Sequence, residues 1–368
     1  MKRIYTIILL VAAMSMIASV FAGCEKSYRE KSTDKVQTAE KKMEDTKKIA
    51  KEKAKKIEKK SAVKTAVNDA DCWGVEDAKA APVAFEVNGQ KYEITNGYYL
   101  KAVGAAKDKP LVIGVVTDIK TSIESNMKNL EGFFSEFKKA GVNVVFATGD
   151  IAEEYAKLKI LFEFFGKQGF PTFAIIGNRD KKSDFVKAIS EVNAKFPNVI
   201  NMNRIRVVDL AVATFISLPG YYDVNFIHHG PGCAYEQTHV DKVKELAAKA
   251  TNPVVLVSHG PPRDVGKNAI DNAVEAGNVG DPKMTKLIAD ARIPYGLFGN
   301  IHEAGAKAVG PDFKTVLKEG QAYQQLYLNP GPSDSDPWKM NDGSISRGMA
   351  GIVTFKDGKA SYQILRAK

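Results

Sequence analysis

The residues that could do chemistry stand at the ends of five apolar runs. They read VVTDIK with Asp118 and Lys120, FATGD with Gly149 and Asp150, AIIGNRD with Asn178, Arg179 and Asp180, VLVSHGPP with Ser258 and His259, and GLFGNIHEAG with Asn300 and His302. Each run stops abruptly at Gly, Asp, Asn or His, which is how a buried strand delivers polar side chains to the edge of a sheet. Carboxylates, imidazoles and amide oxygens gathered in this way suit a divalent manganese, iron or zinc ion. Asp118, Asp150, Asn178, His259, Asn300 and His302 are the candidate site residues. The competing reading is that these are ordinary turn residues. Against it, carboxylates on adjacent buried strands seldom converge without a counter-charge.

The elements that must position these groups alternate. From Leu111 the pattern predicts a strand at 111–117, a helix at 122–140, a strand at 143–148, a helix at 153–168, a strand at 172–176 and a helix at 182–196. Strands near 206–209 and 212–218 follow, then a helix near 239–250, a strand at 253–258, a helix near 281–291 and a strand at 295–298. Four closing strands are expected near 314–317, 325–328, 350–355 and 360–365. Alternating strands and helices followed by consecutive strands imply an α/β fold with mixed sheets.

The order and identity of these strand ends resemble the calcineurin-like metallophosphoesterase family, whose pattern is D-x-H, G-D-x-x-D, G-N-H-D/E, a strand ending in His, and G-H-x-H. HGPP followed by FGNIHEAG, with NPGP at Asn329 to Pro332, is similar to one branch of that family. The resemblance covers residues 111–368. It implies a four-layer α/β/β/α sandwich and hydrolysis of a phosphate ester by two divalent ions roughly 3.5–4 Å apart, which activate water and neutralise phosphate oxygens. By the same resemblance the first ion takes positions 118, 120, 150 and 302, and the second takes Asp150, Asn178, His259 and Asn300.

The site is degenerate by that standard. Lys120 replaces an imidazole with an ammonium that has no lone pair while charged, so it would contact phosphate or substitute for an ion's charge. Asn300 replaces a second imidazole. Arg179 stands where many members carry a His that protonates the leaving group, and a guanidinium there could hold phosphate oxygens in a fork. Two functions stay open. One is a metal-dependent phosphoesterase or phosphodiesterase with one firm ion at Asp150, Asn178 and His259. The other is a catalytically impaired pseudoenzyme that binds a phosphate-bearing ligand or acts as a scaffold. Glu153 reads as a loop brace. His228, His229 and His239 read as solvated loop residues, with His228 or His229 a replacement ligand in the alternative. Asp180, Glu303 and Arg347 read as structural.

The formal charge of +10 is concentrated at one end. Residues 1–64 carry 17 Lys and Arg against 8 Asp and Glu, which leaves the remainder at +1. No nucleic-acid-binding face is implied. Lys2 and Arg3, the apolar run from Ile7 to Val20 and Ala22-Gly23-Cys24 predict a bacterial lipoprotein signal over residues 1–23 and lipid on Cys24, with an uncleaved anchor as the alternative. Residues 24–65 then form a charged tether holding the protein to a membrane that faces the periplasm or the cell exterior. Residues 66–110 form a lead-in whose Asn88-Gly89 predicts a β-hairpin, and 111–368 form the main domain. With Cys24 lipidated in an oxidising compartment, Cys72 and Cys233 remain, either bonded to one another or free.

Overall fold

Ile113, Val115, Phe146, Phe215, Val255 and Leu328 are almost wholly shielded from solvent, and they belong to two different sheets pressed face to face. The computed structural model describes residues 70–230 and 232–367. All that follows concerns the described residues within the unit Asn68–Lys368. The signal, Cys24 and the tether therefore lie outside the described residues. Among the described residues, no helix is long and apolar enough to cross a membrane.

In chain order, a one-turn helix α1 (Ala70–Trp73) precedes β1 (Val83–Val87), β2 (Gln90–Thr95), β3 (Tyr99–Val103) and β4 (Leu111–Val116). Then come α2 (Glu124–Lys139), β5 (Val144–Ala147), α3 (Tyr155–Gln168), β6 (Thr172–Ala174), α4 (Lys182–Asn193), β7 (Val199–Asn201), β8 (Val207–Asp209) and β9 (Thr214–Leu218). After these run α5 (Gln237–Lys249), β10 (Val254–Ser258), the short pair β11 (Asn272–Ala273) and β12 (Gly277–Asn278), α6 (Pro282–Ala291), β13 (Tyr295–Leu297), β14 (Lys307–Val309) and β15 (Leu326–Asn329). A second short pair, β16 (Trp338–Lys339) and β17 (Ile345–Ser346), leads to β18 (Met349–Lys356) and β19 (Lys359–Arg366).

One sheet has nine strands in the order β1-β2-β3-β8-β9-β10-β13-β15-β14, and the other has six in the order β19-β18-β4-β5-β6-β7. Both mix parallel and antiparallel neighbours: β4, β5 and β6 run parallel, as do β9, β10 and β13, while β18 opposes β4. The core between the sheets draws on both inner faces. Helices α2, α3 and α4 cover the outer face of the six-stranded sheet, and α5 and α6 cover the outer face of the nine-stranded one. This is the expected α/β/β/α sandwich. The phase of α2 shows why it lies where it does, because Leu130, Phe133, Phe134 and Phe137 repeat at the three-four spacing of one helical face and are all buried.

The Asn88-Gly89 hairpin forms as β1 and β2. A third strand, β3, which the sequence reading did not separate, pairs in parallel with β8 and carries the lead-in onto the nine-stranded sheet. The strand expected at 314–317 is absent. Asp312 accepts bonds from the backbone nitrogens of Lys314 and Thr315 and folds that stretch into a turn, so the edge strand is β14 instead. Cys72 and Cys233 are joined, with sulfurs 2.04 Å apart, across a sequence separation of 161 residues.

Candidate metal centre

Every residue singled out at a strand end sits at the carboxyl edge of the two sheets. Asp118, Asp150 and Asn178 follow β4, β5 and β6. His259 follows β10, and Asn300 and His302 follow β13. Asp118, Lys120, Asp150 and Asn300 all adopt left-handed backbone, with φ of 52°, 63°, 52° and 64°. Such strain in residues with side chains gathers at functional sites. Interlocking bonds hold these turns: Asp118 N donates to Gly149 O at 3.0 Å, and Lys120 N donates to Asp150 O at 2.9 Å. Gly149 (φ 106°) is required for closeness as well as conformation, since a Cβ there would lie 2.6 Å from His259 Nδ1.

Ligand atoms of Asp118, Asp150 and His259 lie within 4.8 Å of one another, and all three residues are buried. His259 is the best defined. Its Nδ1 stands 2.9 Å from the carbonyl of Thr148, which can only accept, so this nitrogen carries a proton. The other nitrogen, Nε2, faces Asn178 Oδ1 at 2.9 Å and Asp150 Oδ1 at 3.2 Å. Asn178 cannot turn its oxygen away, because its Nδ2 donates to Phe226 O at 2.8 Å. Three electron-pair donors thus face one another in a buried place, and they need a cation between them. In the protein alone that cation is a proton on His259. Burial lowers the imidazole pKa, but Asp150 and then Asp118 outweigh burial and raise it to about 9. The donor set of carboxylate, amide oxygen and imidazole fits a divalent ion equally well.

Asp180 braces this arrangement. Its Oδ2 accepts from Asp150 N and Gly177 N, and its Oδ1 accepts from Ala152 N. Burial and the neighbouring Asp150 charge push its carboxyl up to about 7.

The other half of the site is built differently. Asp118 Oδ1 pairs with His302 Nε2 at 3.1 Å, while its Oδ2 accepts from Asn300 N at 2.9 Å and Thr117 Oγ1 at 2.8 Å. Burial would raise the Asp118 carboxyl, but His302, the more distant His259 and the Lys120 ammonium hold it below the usual carboxylate range. The Asn300 amide points at Tyr221, with Nδ2 donating to Oη at 2.9 Å. Lys120 forms its ion pair with Asp334 and not with Asp118 or Asp150: its Nζ lies 2.7 Å from Asp334 Oδ2 and 4.1 Å from the Trp338 ring centroid.

Arg179 contributes its backbone nitrogen to Asp150 Oδ1 at 2.9 Å, but its guanidinium binds Glu153, with Nε 2.8 Å from Oε1. Glu153 also meets His229 Nε2 at 3.0 Å, so it ties two loops together as a brace. Sequence reasoning passed over Tyr221, Asp334 and Trp338. The last two follow directly on NPGP in the run SDSDPW, and that adjacency was the available signal.

No protein-family model matches the chain, and no curated protein matches it. Solved structures do. One crystal structure superposes with a TM-score of 0.51 at 12% identity, over 71% of this chain and 100% of that one. A dimetal phosphatase from Danio rerio gives 0.43 at 8% identity, over 70% of this chain and 99% of that one. A phosphatase from Mycoplasma pneumoniae gives 0.43 at 11% identity, over 70% and 94%. The likeness is one of fold. At these identities and scores the two phosphatases carry no argument about what this chain acts on.

Proposed function

We propose that this chain is a metal-dependent phosphoesterase or phosphodiesterase of calcineurin-like architecture with one firm divalent ion, held by Asp150, Asn178 and His259. The observation that carries the reading is the convergence of two oxygens on His259 Nε2, with the far side of both His259 and Asn178 fixed by backbone carbonyls. An ion bound there would polarise a phosphate oxygen as a Lewis acid. The chain's own groups do the rest. Asp180 holds the Asp150 turn, Gly149 keeps the backbone clear of His259, and Lys120 supplies positive charge on the side where a second ion would otherwise stand. Manganese, iron and zinc all suit the donors.

Metal analysis of the purified full chain tests this, together with hydrolysis of bis(4-nitrophenyl) phosphate in added manganese. About one equivalent of ion and manganese-dependent turnover are expected. Absence of any tightly held ion would sink the reading.

A second reading rests on Arg179. Its guanidinium is held by Glu153, and no imidazole occupies the position that protonates a leaving group in the family pattern. A protein that binds a phosphate ester without cleaving it would show phosphate affinity and background turnover in the same assay. In both readings the chain is attached to a bacterial membrane, outside the cytoplasm, by lipid on Cys24. The Cys72–Cys233 bond supports this placement, because disulfides persist in oxidising compartments. Cys24→Ser should move the protein from the membrane to the soluble fraction, and retention on the membrane would overturn the anchor.

A further inference from the structure

Resting on the one-ion reading above, we propose that Asp334 and Trp338 are positioning residues that fix the Lys120 ammonium as a permanent cation beside Asp118, so that this half of the site meets a phosphate oxygen without a second divalent ion. A lysine ammonium is a compact, strongly hydrated charge on a flexible stem, and holding it in one place costs rotamer entropy and desolvation. Here the cost is met from several directions. Asp334, 1% exposed, lies 2.7 Å from Nζ, and the Trp338 ring faces the ammonium at 4.1 Å. Trp338 Nε1 donates to Asp334 Oδ1 at 2.9 Å and so orients the carboxylate that holds the lysine.

The clamp is continuous with the site. The Trp338 ring lies 4.1 Å from the His302 ring, and His302 pairs with Asp118. The left-handed backbone of Lys120 and its bond to Asp150 O fix the base of the side chain. A structural ion pair at a strand end would not need that left-handed backbone. The lysine side chain keeps 13% exposure, so the clamp does not seal it from solvent.

The test is equilibrium dialysis of the full chain against manganese, followed by calorimetric titration with inorganic phosphate. Wild type should hold one manganese equivalent, and Lys120→His should hold two. Asp334→Asn should keep one equivalent yet bind phosphate about tenfold more weakly, the order of one lost charge-assisted bond. Trp338→Phe keeps a ring face and should lose less phosphate affinity than Trp338→Leu, a grading that simple loss of packing would not give. If Asp334→Asn fails to fold, the two Trp338 variants decide the matter. Two equivalents in wild type would overturn the fixed-cation proposal while leaving a metallophosphoesterase intact. No equivalent in wild type would sink the one-ion reading and this proposal with it. Unchanged phosphate affinity in Asp334→Asn, or equal losses in the two Trp338 variants, would reduce the clamp to packing.

Discussion

The two halves of the site, centred on His259 and on His302, are assembled from the same kinds of strand end but solve the problem of buried negative charge in opposite ways. Around His259 every donor atom is fixed from behind: Thr148 O sets the ring, Phe226 O sets the amide, and Asp180 sets the Asp150 turn. The three lone-pair donors then have only a cation to point at. Around His302 the charge is already supplied by the chain, with Lys120 lodged between Asp334 and Trp338. If the proposed ion binds at His259, a half that takes an ion and a half that brings its own cation share one pocket. On the proposed reading, the two halves differ in where the positive charge comes from.

The comparison breaks most easily at the imidazoles. His259→Ala should weaken manganese binding by more than about 100-fold, whereas His302→Ala should change it by less than about threefold. Similar losses in both would mean that the halves share one ion, and calorimetry would show it directly. The next effect is on pH. Because His259 titrates near 9 rather than 6.5 in the metal-free protein, the ion must displace a proton. Manganese affinity should therefore rise about tenfold per pH unit and level off above about pH 9. The raised value also stabilises the metal-free fold. That contribution is fully present below pH 6.5 and is lost as pH rises through about 9, on the order of 3 kcal/mol in all. A flat denaturation midpoint between pH 6 and 10 in chelator would contradict this.

Most of the His259 half was legible because it lies on strands. β-Branched runs that end in Gly-Asp, Gly-Asn and Ser-His announce both the element and the edge it reaches, and the resemblance in their order is what groups Asp150, Asn178 and His259. The His302 half was legible only in part. Asp118, Lys120 and His302 follow strands in the same way, but the destination of Lys120 was set by Asp334 and Trp338. Asp334 sits in an irregular segment and Trp338 on the two-residue β16, with neither a 2-residue nor a 3.6-residue period to read. The same limit explains the misplaced strand at 314–317, where an Asp side chain captured backbone nitrogens that a β-ladder would have used. β3 and β7 also went unread.

Further from the centre, Asp180→Asn should lower manganese affinity about tenfold. The asparagine keeps one acceptor oxygen where the carboxylate used two to hold the nitrogens of Asp150, Gly177 and Ala152. The loss should appear only on the His259 side, leaving phosphate affinity at saturating metal close to wild type.

The smallest expected effect separates backbone from side chain at Asn300. The Asp118 carboxylate takes the backbone N–H of Asn300, and the amide nitrogen is spent on Tyr221. Asn300→Gly preserves that N–H and suits the left-handed φ of 64°, so manganese affinity should fall by less than about fivefold, the worth of one neutral hydrogen bond. Tyr221→Phe breaks the same bond from the other end and should match it. A loss beyond tenfold in Asn300→Gly alone would make the amide oxygen a ligand. The ion would then draw on both sides of the pocket, and the division between a half that waits for a cation and a half that carries one would have to be redrawn.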